Sequence, residues 1–401
     1  MACLPWEMTA EILCRLPVKD LLRFSCVAKS WRSLIDGHDL IKKHLNHSLQ
    51  TSSNHGLILK DGYYEHFVGR PRFARPGREA PEPRSQSHDD LPRMLGSCNG
   101  LLALNSCQND AVIVLWNPST RMFRKVELPR LEELDQRVSL HGFGHDNVND
   151  DYKLVRISLS YYQSKIGNFD RSRVYVYSAK SNTWSFKTTT TRGFFYFVRE
   201  SISYDRGILS NNSLHWLALR TPHDFSLASL YRDLLIVSFG FVTEEFREIP
   251  LPDCANGSEL DSVHMDEIRG SLCIVLLYTK REPRANYVDV WVMKEYESWT
   301  KLCVVGLSTE SISYFDFMIP VASLKKNIIL LNESFERLIA YNIERRVKSD
   351  VRISNFPKNF NANICVGSLV RLDNDGDDGM LSWKPVEEYG KKYRKPRRRL
   401  R

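Results

Sequence analysis

No apolar run in the 401-residue chain approaches the roughly 18 residues that a membrane-crossing helix needs. Glu7 and Glu11 stand where a secretory signal would place a basic stretch followed by an apolar one. These absences predict a protein of the cytoplasm and nucleus, with no membrane partner. The nine cysteines, an odd number, include no CxxC pair and fall mostly inside apolar runs such as SLCIVLLY. Buried reduced thiols are therefore expected instead of disulfides or a zinc site. HExxH, GxSxG, GxGxxG and Walker patterns are all missing. His141 and His145 are four apart, but Gly142 and Gly144 argue against the helix that would bring two ligands together. The acidic turn with Asp146, Asn147, Asn149, Asp150 and Asp151, and the stretch LDNDGDDG, lack the glycine and glutamate of a calcium loop at positions six and twelve. No catalytic group, metal or cofactor is expected.

Acid is missing from one place in particular. The last eleven residues, KKYRKPRRRLR, carry eight positive charges and no carboxylate. That equals the whole formal net charge of +8, so the other 390 residues sum to zero. Steering toward nucleic acid is thus confined to a tail. Lys391, Lys392, Arg394, Lys395, Arg397, Arg398 and Arg399 read first as a nuclear import signal, with a phosphate-binding arm or a solvated end as the other readings.

What is present divides unevenly. Residues 4–35, LPWEMTAEILCRLPVKDLLRFSCVAKSWRSLI, predict three short helices. Met8, Ile12 and Leu16 recur every four residues, with Leu13 widening the stripe, and Pro17 stops the first helix. Asp20, Leu21, Leu22 and Phe24 fall in a second helix; Val27, Trp31, Leu34 and Ile35 share one side of a third. So small a unit keeps much of its surface wet and is marginal alone, which calls for a partner. Residues 70–93 hold five prolines and six arginines and predict a loop or linker.

From Gly96 onward a loose repeat sets in: an apolar strand, a second strand of alternating type, a polar turn, and an aromatic or apolar anchor that begins a third strand. The anchors Phe123, Trp184, Phe246, Trp299 and Val347 are 61, 62, 53 and 48 residues apart. That spacing fits the blades of an all-β, kelch-like propeller, since each small sheet must stack on the next to bury both faces. A β-sandwich is the alternative. The expected boundaries are helices over 1–48, a connecting segment over 49–95, the β domain over 96–372 and a flexible basic tail over 373–401.

The opening segment resembles the F-box. Leu4-Pro5, Ile12 and Leu13 before Leu16-Pro17, the run Lys19-Asp20-Leu21-Leu22-Arg23, and Val27, Lys29, Trp31, Arg32, Leu34 and Ile35 carry the likeness. GSCNGLLAL, LWNPSTR, GFGHDNVNDDYKLVRI, NNSLHW and VDVWVMKEYESWTKL resemble the F-box-associated domain of plant F-box proteins. Among these, the motifs and the final SLV are most similar to proteins named for constitutive expression of pathogenesis-related genes. The resemblance implies a non-catalytic substrate receptor of a Skp-cullin-F-box ubiquitin ligase, reaching cullin and RING subunits through a Skp-type adaptor. Leu4, Pro5, Ile12, Leu13, Leu16, Pro17, Leu21, Leu22, Val27 and Trp31 would then fill the adaptor's groove. The β domain would hold a target, by the subgroup's likeness an intracellular immune receptor. Tyr161, Tyr162, Phe194, Phe195 and Tyr196 are the candidate target contacts, as exposed loop aromatics, or else they pack between blades. The rival reading is a kelch-like scaffold or nucleic-acid-associated protein with no ligase role.

Overall fold

The computed structural model describes residues 5–61, 93–105, 111–129, 138–161, 169–189, 196–197, 206–219, 234–253, 259–280, 285–307, 318–325, 327–334, 336–351 and 360–372. Helices α1 (Trp6–Leu13), α2 (Val18–Phe24), α3 (Lys29–Ile35) and α4 (His38–Thr51) come first. Pro17 sets the start of α2 and Pro5 that of α1, each as the extended residue just before the first turn. The fourth helix adds to the three expected. Its sequence, HDLIKKHLNHSLQT, is polar along most of its length, so its short apolar edge of Leu40, Ile41 and Leu45 does not stand out.

Strand β1 (His55–Asp61) follows, and then five antiparallel blades, of which blades 1, 4 and 5 are separate four-stranded sheets while blades 2 and 3 join into one nine-stranded sheet. Blade 1 is β2 (Arg93–Cys98), β3 (Leu101–Asn105), β4 (Val112–Trp116) and β5 (Phe123–Glu127). Blade 2 is β6 (Val138–Asp146), β7 (Asp151–Tyr161), β8 (Phe169–Ser178) and β9 (Thr183–Thr189). In blade 3 the innermost position is split between β10 (Tyr196–Phe197) and β11 (Arg206–Ser210), which pair successive stretches of β12 (Ser213–Leu219); β13 (Leu234–Gly240) and β14 (Phe246–Ile249) complete it. Blade 4 is β15 (Glu259–Ile268), β16 (Ser271–Lys280), β17 (Ala285–Glu295) and β18 (Ser298–Gly306). Blade 5 is β19 (Met318–Lys325), β20 (Ile328–Glu333), β21 (Arg337–Asn342) and β22 (Val347–Val351). The last strand, β23 (Phe360–Val366), pairs β1 in an unbroken antiparallel register from His55↔Val366 to Asp61↔Phe360.

The innermost strands lie side by side in the order β2, β6, β11, β15, β19, β23 and back to β2. The ring therefore has six positions and is shut by pairing the segment just after the helices with the end of the β domain. Apolar layers fill the seams between successive sheets. Leu140, Val155 and Ile157 of blade 2 meet Trp216 and Phe239 of blade 3, and Val288 and Val290 of blade 4 meet Leu331 and Tyr341 of blade 5. Ile58 and Cys365 of the closing pair meet Leu102 and Leu104 of blade 1. At the tightest seam β6 and β11 run parallel, with Gly207 opposite Gly142. A Cβ on Gly142 or Gly207 would come within 2.6 Å of Leu214 or Trp216 respectively, so the absence of side chains there is what admits the fully buried indole.

All five sequence anchors fall at the start of an outermost strand: Phe123 in β5, Trp184 in β9, Phe246 in β14, Trp299 in β18 and Val347 in β22. Two of them fasten blades together. Trp184 donates its indole N–H to the Glu127 carbonyl of blade 1 at 2.8 Å, and Trp299 to the Pro250 carbonyl beyond blade 3 at 2.9 Å. The repeat as read from sequence has three strands; the structure adds an inner fourth to each blade.

Candidate docking surfaces

The four helices enclose a small core of Ala10, Leu13, Cys14, Val18, Leu21, Ile35 and Leu40. Leu13 and Leu21, assigned to the adaptor from sequence, are 1% and 0% exposed and hold the helices together instead of presenting a surface. Trp31 is half-buried, its ring edge-on to Phe24 with centroids 5.5 Å apart. Leu16 and Leu22 are half-buried, Pro5 and Pro17 exposed, and Leu4 lies outside the described residues.

The outward side differs. Ile12 is 49% exposed and Val27, in the α2–α3 turn, 69%. Trp6 at 66% and Met8 at 53% join them and were not among the sequence candidates. The first 27 residues thus hold four of the ten large apolar side chains left exposed among the described residues, which sets this segment apart from the β domain. Met8 and Ile12, one turn apart, share a helix face while Ala10 and Leu13 point inward. Beside them Lys43 pairs with Glu11, and that hydrogen-bonded contact holds the Glu11 carboxyl below its ordinary range and raises the Lys43 ammonium.

A strap of residues 367–372 fixes the helices to the β domain. Leu369, 3% exposed, enters the helical core; Val370 and Leu372 pack with Leu45 of α4 in the seam of blades 1 and 2. Asn117 of the LWNPSTR motif is buried and donates its amide to the Ser368 carbonyl at 3.1 Å and the Val370 carbonyl at 2.8 Å. Its own oxygen accepts from the Ser119 N–H at 2.9 Å, closing the turn before β5. Gly100, at φ +84°, follows Asn99 in the β2–β3 turn; a Cβ there would stand 2.4 Å from Ser368 Oγ and from the Val366 carbonyl. Arg371 adds an ion pair to Asp36 after α3, and the Gly367 N–H donates to the Asn54 carbonyl at 2.7 Å.

These contacts define two ends of the ring. The turns after the inner strands meet one another at the helix-bearing end: Asn147 N–H donates to Asn212 Oδ1 at 3.0 Å, Ser210 Oγ to the Gly270 carbonyl at 3.0 Å, and Arg269 Nε to Ser323 Oγ at 2.6 Å. There the connections are short, and all but residue 326 are described. One of them is the acidic turn of blade 2. Asp146 is fully buried, with its carboxylate 2.9 Å from Lys153 Nζ and accepting from Asn149 and Asn212, so its oxygens are committed to the turn. Burial alone would raise this carboxyl, but Lys153 and the two asparagines hold it well below the usual range.

The strand ends at the opposite side are followed in sequence by 62–92, 106–110, 130–137, 162–168, 190–195, 198–205, 220–233, 254–258, 281–284, 308–317 and 352–359, all outside the described residues, and by the short β20–β21 connection, of which residues 334 and 336 are described. Tyr161 closes β7 and Tyr196 opens β10, so the backbone of both sits at this end. Tyr162, Phe194 and Phe195 lie outside the described residues, as do the tail positions from Lys391 to Arg399. Among the described residues no group of three or more His, Cys, Asp or Glu side chains is placed to hold a metal ion, and no helix is long and apolar enough to cross a membrane.

Two family profiles match the chain: the F-box domain over residues 1–43 and the F-box associated beta propeller domain over residues 76–372. F-box protein CPR1 of Arabidopsis thaliana is 30% identical over 97% of this chain and 93% of its own length. The F-box/kelch-repeat protein At3g23880 of the same plant is 31% identical over 84% of this chain and 87% of its own. A solved oligogalacturonate lyase from Vibrio parahaemolyticus covers 64% of each chain at 11% identity and a TM-score of 0.37, too distant to bear on activity. The F-box helices, the ring of blades and these matches agree: the chain belongs to the family of F-box proteins that carry an F-box associated β-propeller domain.

Proposed function

We propose that the chain is the substrate receptor of a Skp-cullin-F-box ubiquitin ligase, with the helices docking a Skp-type adaptor and the far end of the propeller holding a target. The carrying observation is the placement of Trp6, Met8, Ile12 and Val27: large apolar side chains in solvent on a unit strapped to the other end of the ring. Burying each such side chain contributes on the order of 1.5–3 kcal/mol before association costs are subtracted, enough for a handful to anchor an interface. The receptor forms no bonds itself. It raises the effective concentration of a target's lysines near the ubiquitin carrier brought by the cullin and RING subunits. A strap packed into both cores supports this work, because it fixes the distance between the two docking ends.

From the subgroup likeness of the sequence motifs we propose an intracellular immune receptor as the target, and with it a restraint on plant defence. The run from Lys391 to Arg399 supports nuclear as well as cytoplasmic residence. Co-purification of the full chain with a plant Skp-type adaptor tests the central claim. Wild type should bind, and Met8→Ala with Ile12→Ala should weaken binding at least tenfold without changing the circular dichroism spectrum. A folded wild-type chain that binds no adaptor would overturn the reading. A tail-deleted fluorescent fusion that still enters the nucleus would remove the import role.

A further inference from the structure

The turn between α1 and α2, Leu16-Pro17, stands among the exposed adaptor-side residues and is held from behind. α1 ends with the N–H groups of Arg15 and Leu16 donating to Ile12 and Leu13, and α2 starts with Asp20 and Leu21 donating to the Pro17 carbonyl. The Leu16 carbonyl falls between these two ladders, and the following residue is a proline without an N–H to tie the turn. Its partner is His44 of α4, fully buried, with Nε2 at 3.0 Å. A carbonyl only accepts, so Nε2 carries a proton, and burial lowers the basicity of this imidazole, which favours the neutral ring. Asn54 Nδ2, 3.3 Å from the same nitrogen, therefore directs its donor to Ser48 Oγ at 2.8 Å and packs against the ring. The Asn54 carbonyl in turn receives the Gly367 N–H of the strap at 2.7 Å.

We infer that His44 is a positioning residue of the adaptor-docking surface: through one hydrogen bond to the Leu16 carbonyl it sets the Leu16-Pro17 turn against α4. His44 touches no adaptor itself. Among the described residues its Nδ1 finds no hydrogen-bond partner, so the ring is retained there with one polar atom unmatched, as expected if Nε2–H is what the site needs. The inference rests on the adaptor-docking reading given above and adds to it a residue whose role is indirect.

The test uses the full chain, the adaptor alone as probe, and two substitutions at one position. His44→Gln keeps an N–H donor on a side chain of similar reach; His44→Met keeps apolar bulk without one. Adaptor affinity is measured by calorimetry, with folding followed by circular dichroism and thermal midpoint. The expected result is His44→Gln within twofold of wild type and His44→Met about five- to tenfold weaker at equal folded fraction, the size of one lost hydrogen bond. Equal affinities in the two variants, whether both near wild type or both reduced, overturn the role of the donor. If His44→Met unfolds the helices, Ser48→Ala with Asn54→Ala carries the test. That pair leaves the His44–Leu16 bond in place and should bind within twofold of wild type, whereas a tenfold loss would move the role to the Asn54 link and overturn the assignment. A wild-type chain that fails to bind is read first, and it sinks the docking reading instead of the role of His44.

Discussion

Blades 4 and 5 press Val288, Val290, Leu331 and Tyr341 between their own sheets, whereas the four helices leave Trp6, Met8, Ile12 and Val27 in solvent and draw Leu369 into their core from the other end of the chain. A ring of sheets can satisfy every face with a neighbour, because each seam is lined from both sides. A unit of about 45 residues lacks that option, since its surface is large relative to its volume. The helices resolve the deficit in two directions: one face is strapped to the propeller and another is left for a partner. The F-box here is consequently a built-in part of the molecule, completed by residues more than 300 positions away.

The largest effect should come from breaking the strap. Removing residues 368–401 takes Leu369 from the helical core, Val370 and Leu372 from the seam above it, and two acceptors from the buried Asn117 amide. The helices should lose amide-exchange protection while blades 3 to 5 keep theirs. Leu369→Ala alone should destabilise the helical unit by about 2–5 kcal/mol, as for other buried leucines. Undiminished protection in the truncated chain would show the helices to be self-sufficient and dissolve the contrast.

The next test stays inside the ring. Asp146→Ala leaves Lys153, its side chain 11% exposed, buried with, among the described residues, the Phe241 carbonyl at 2.8 Å to receive it. A loss of about 3–5 kcal/mol in denaturant unfolding is expected, because an uncompensated buried charge remains. Acid should act through the same pair. A carboxyl held below its ordinary value contributes stability that is present above the unfolded chain's pKa, near 4, and disappears as pH falls through the lower folded value. Wild type should therefore lose stability below about pH 4, and the variant should show less of that slope. A variant as acid-sensitive as wild type would assign the effect elsewhere.

Which parts of this were legible in sequence follows from what each residue has to face. The outer anchors from Phe123 to Val347 could be read because an aromatic or branched residue beginning a hairpin's last strand repeats on a local period. The inner strands could not. They include Gly142 and Gly144, whose missing side chains admit Leu214, Leu209 and Phe241 of the next blade, and Gly207, which admits Trp216 of its own, and so they carry little apolar signal. The β1–β23 closure was equally hidden, since its partners lie some 300 residues apart and each segment by itself is a single short strand. On the helices, the period of Met8, Ile12, Leu13 and Leu16 disclosed amphipathic order but not which of two apolar directions was inward. Leu13 was thus taken for surface, while Met8, on the outward stripe, and Trp6 were left out. His44 gave no signal, because one of three histidines in a polar helix acquires its role only when the Leu16 carbonyl is folded against it.

The smallest effect should separate packing from charge at the junction of the two units. Asp150 lies in the same turn as Asp146, but half-exposed, and faces the helices: its carboxylate is 3.8 Å from His38 Nε2 and 3.9 Å from Lys42 Nζ of α4, and 3.0 Å from His145 Nε2 of its own blade. Its backbone, at φ 49°, is in a region that asparagine also tolerates, so Asp150→Asn removes the charge without straining the turn. Exposed pairs of this kind contribute at most about 1 kcal/mol, and less in salt. The variant should therefore cost a few tenths of a kcal/mol at low ionic strength, nothing measurable at high salt, and less than a twofold change in adaptor affinity. A loss on the scale of Leu369→Ala would mean that charge and not the apolar strap joins helices to propeller, and a loss that salt leaves unchanged would point to the turn's own geometry. The small, screened effect is expected because nothing at Asp150 is buried, whereas four residues earlier Asp146 owes its large one to the absence of water.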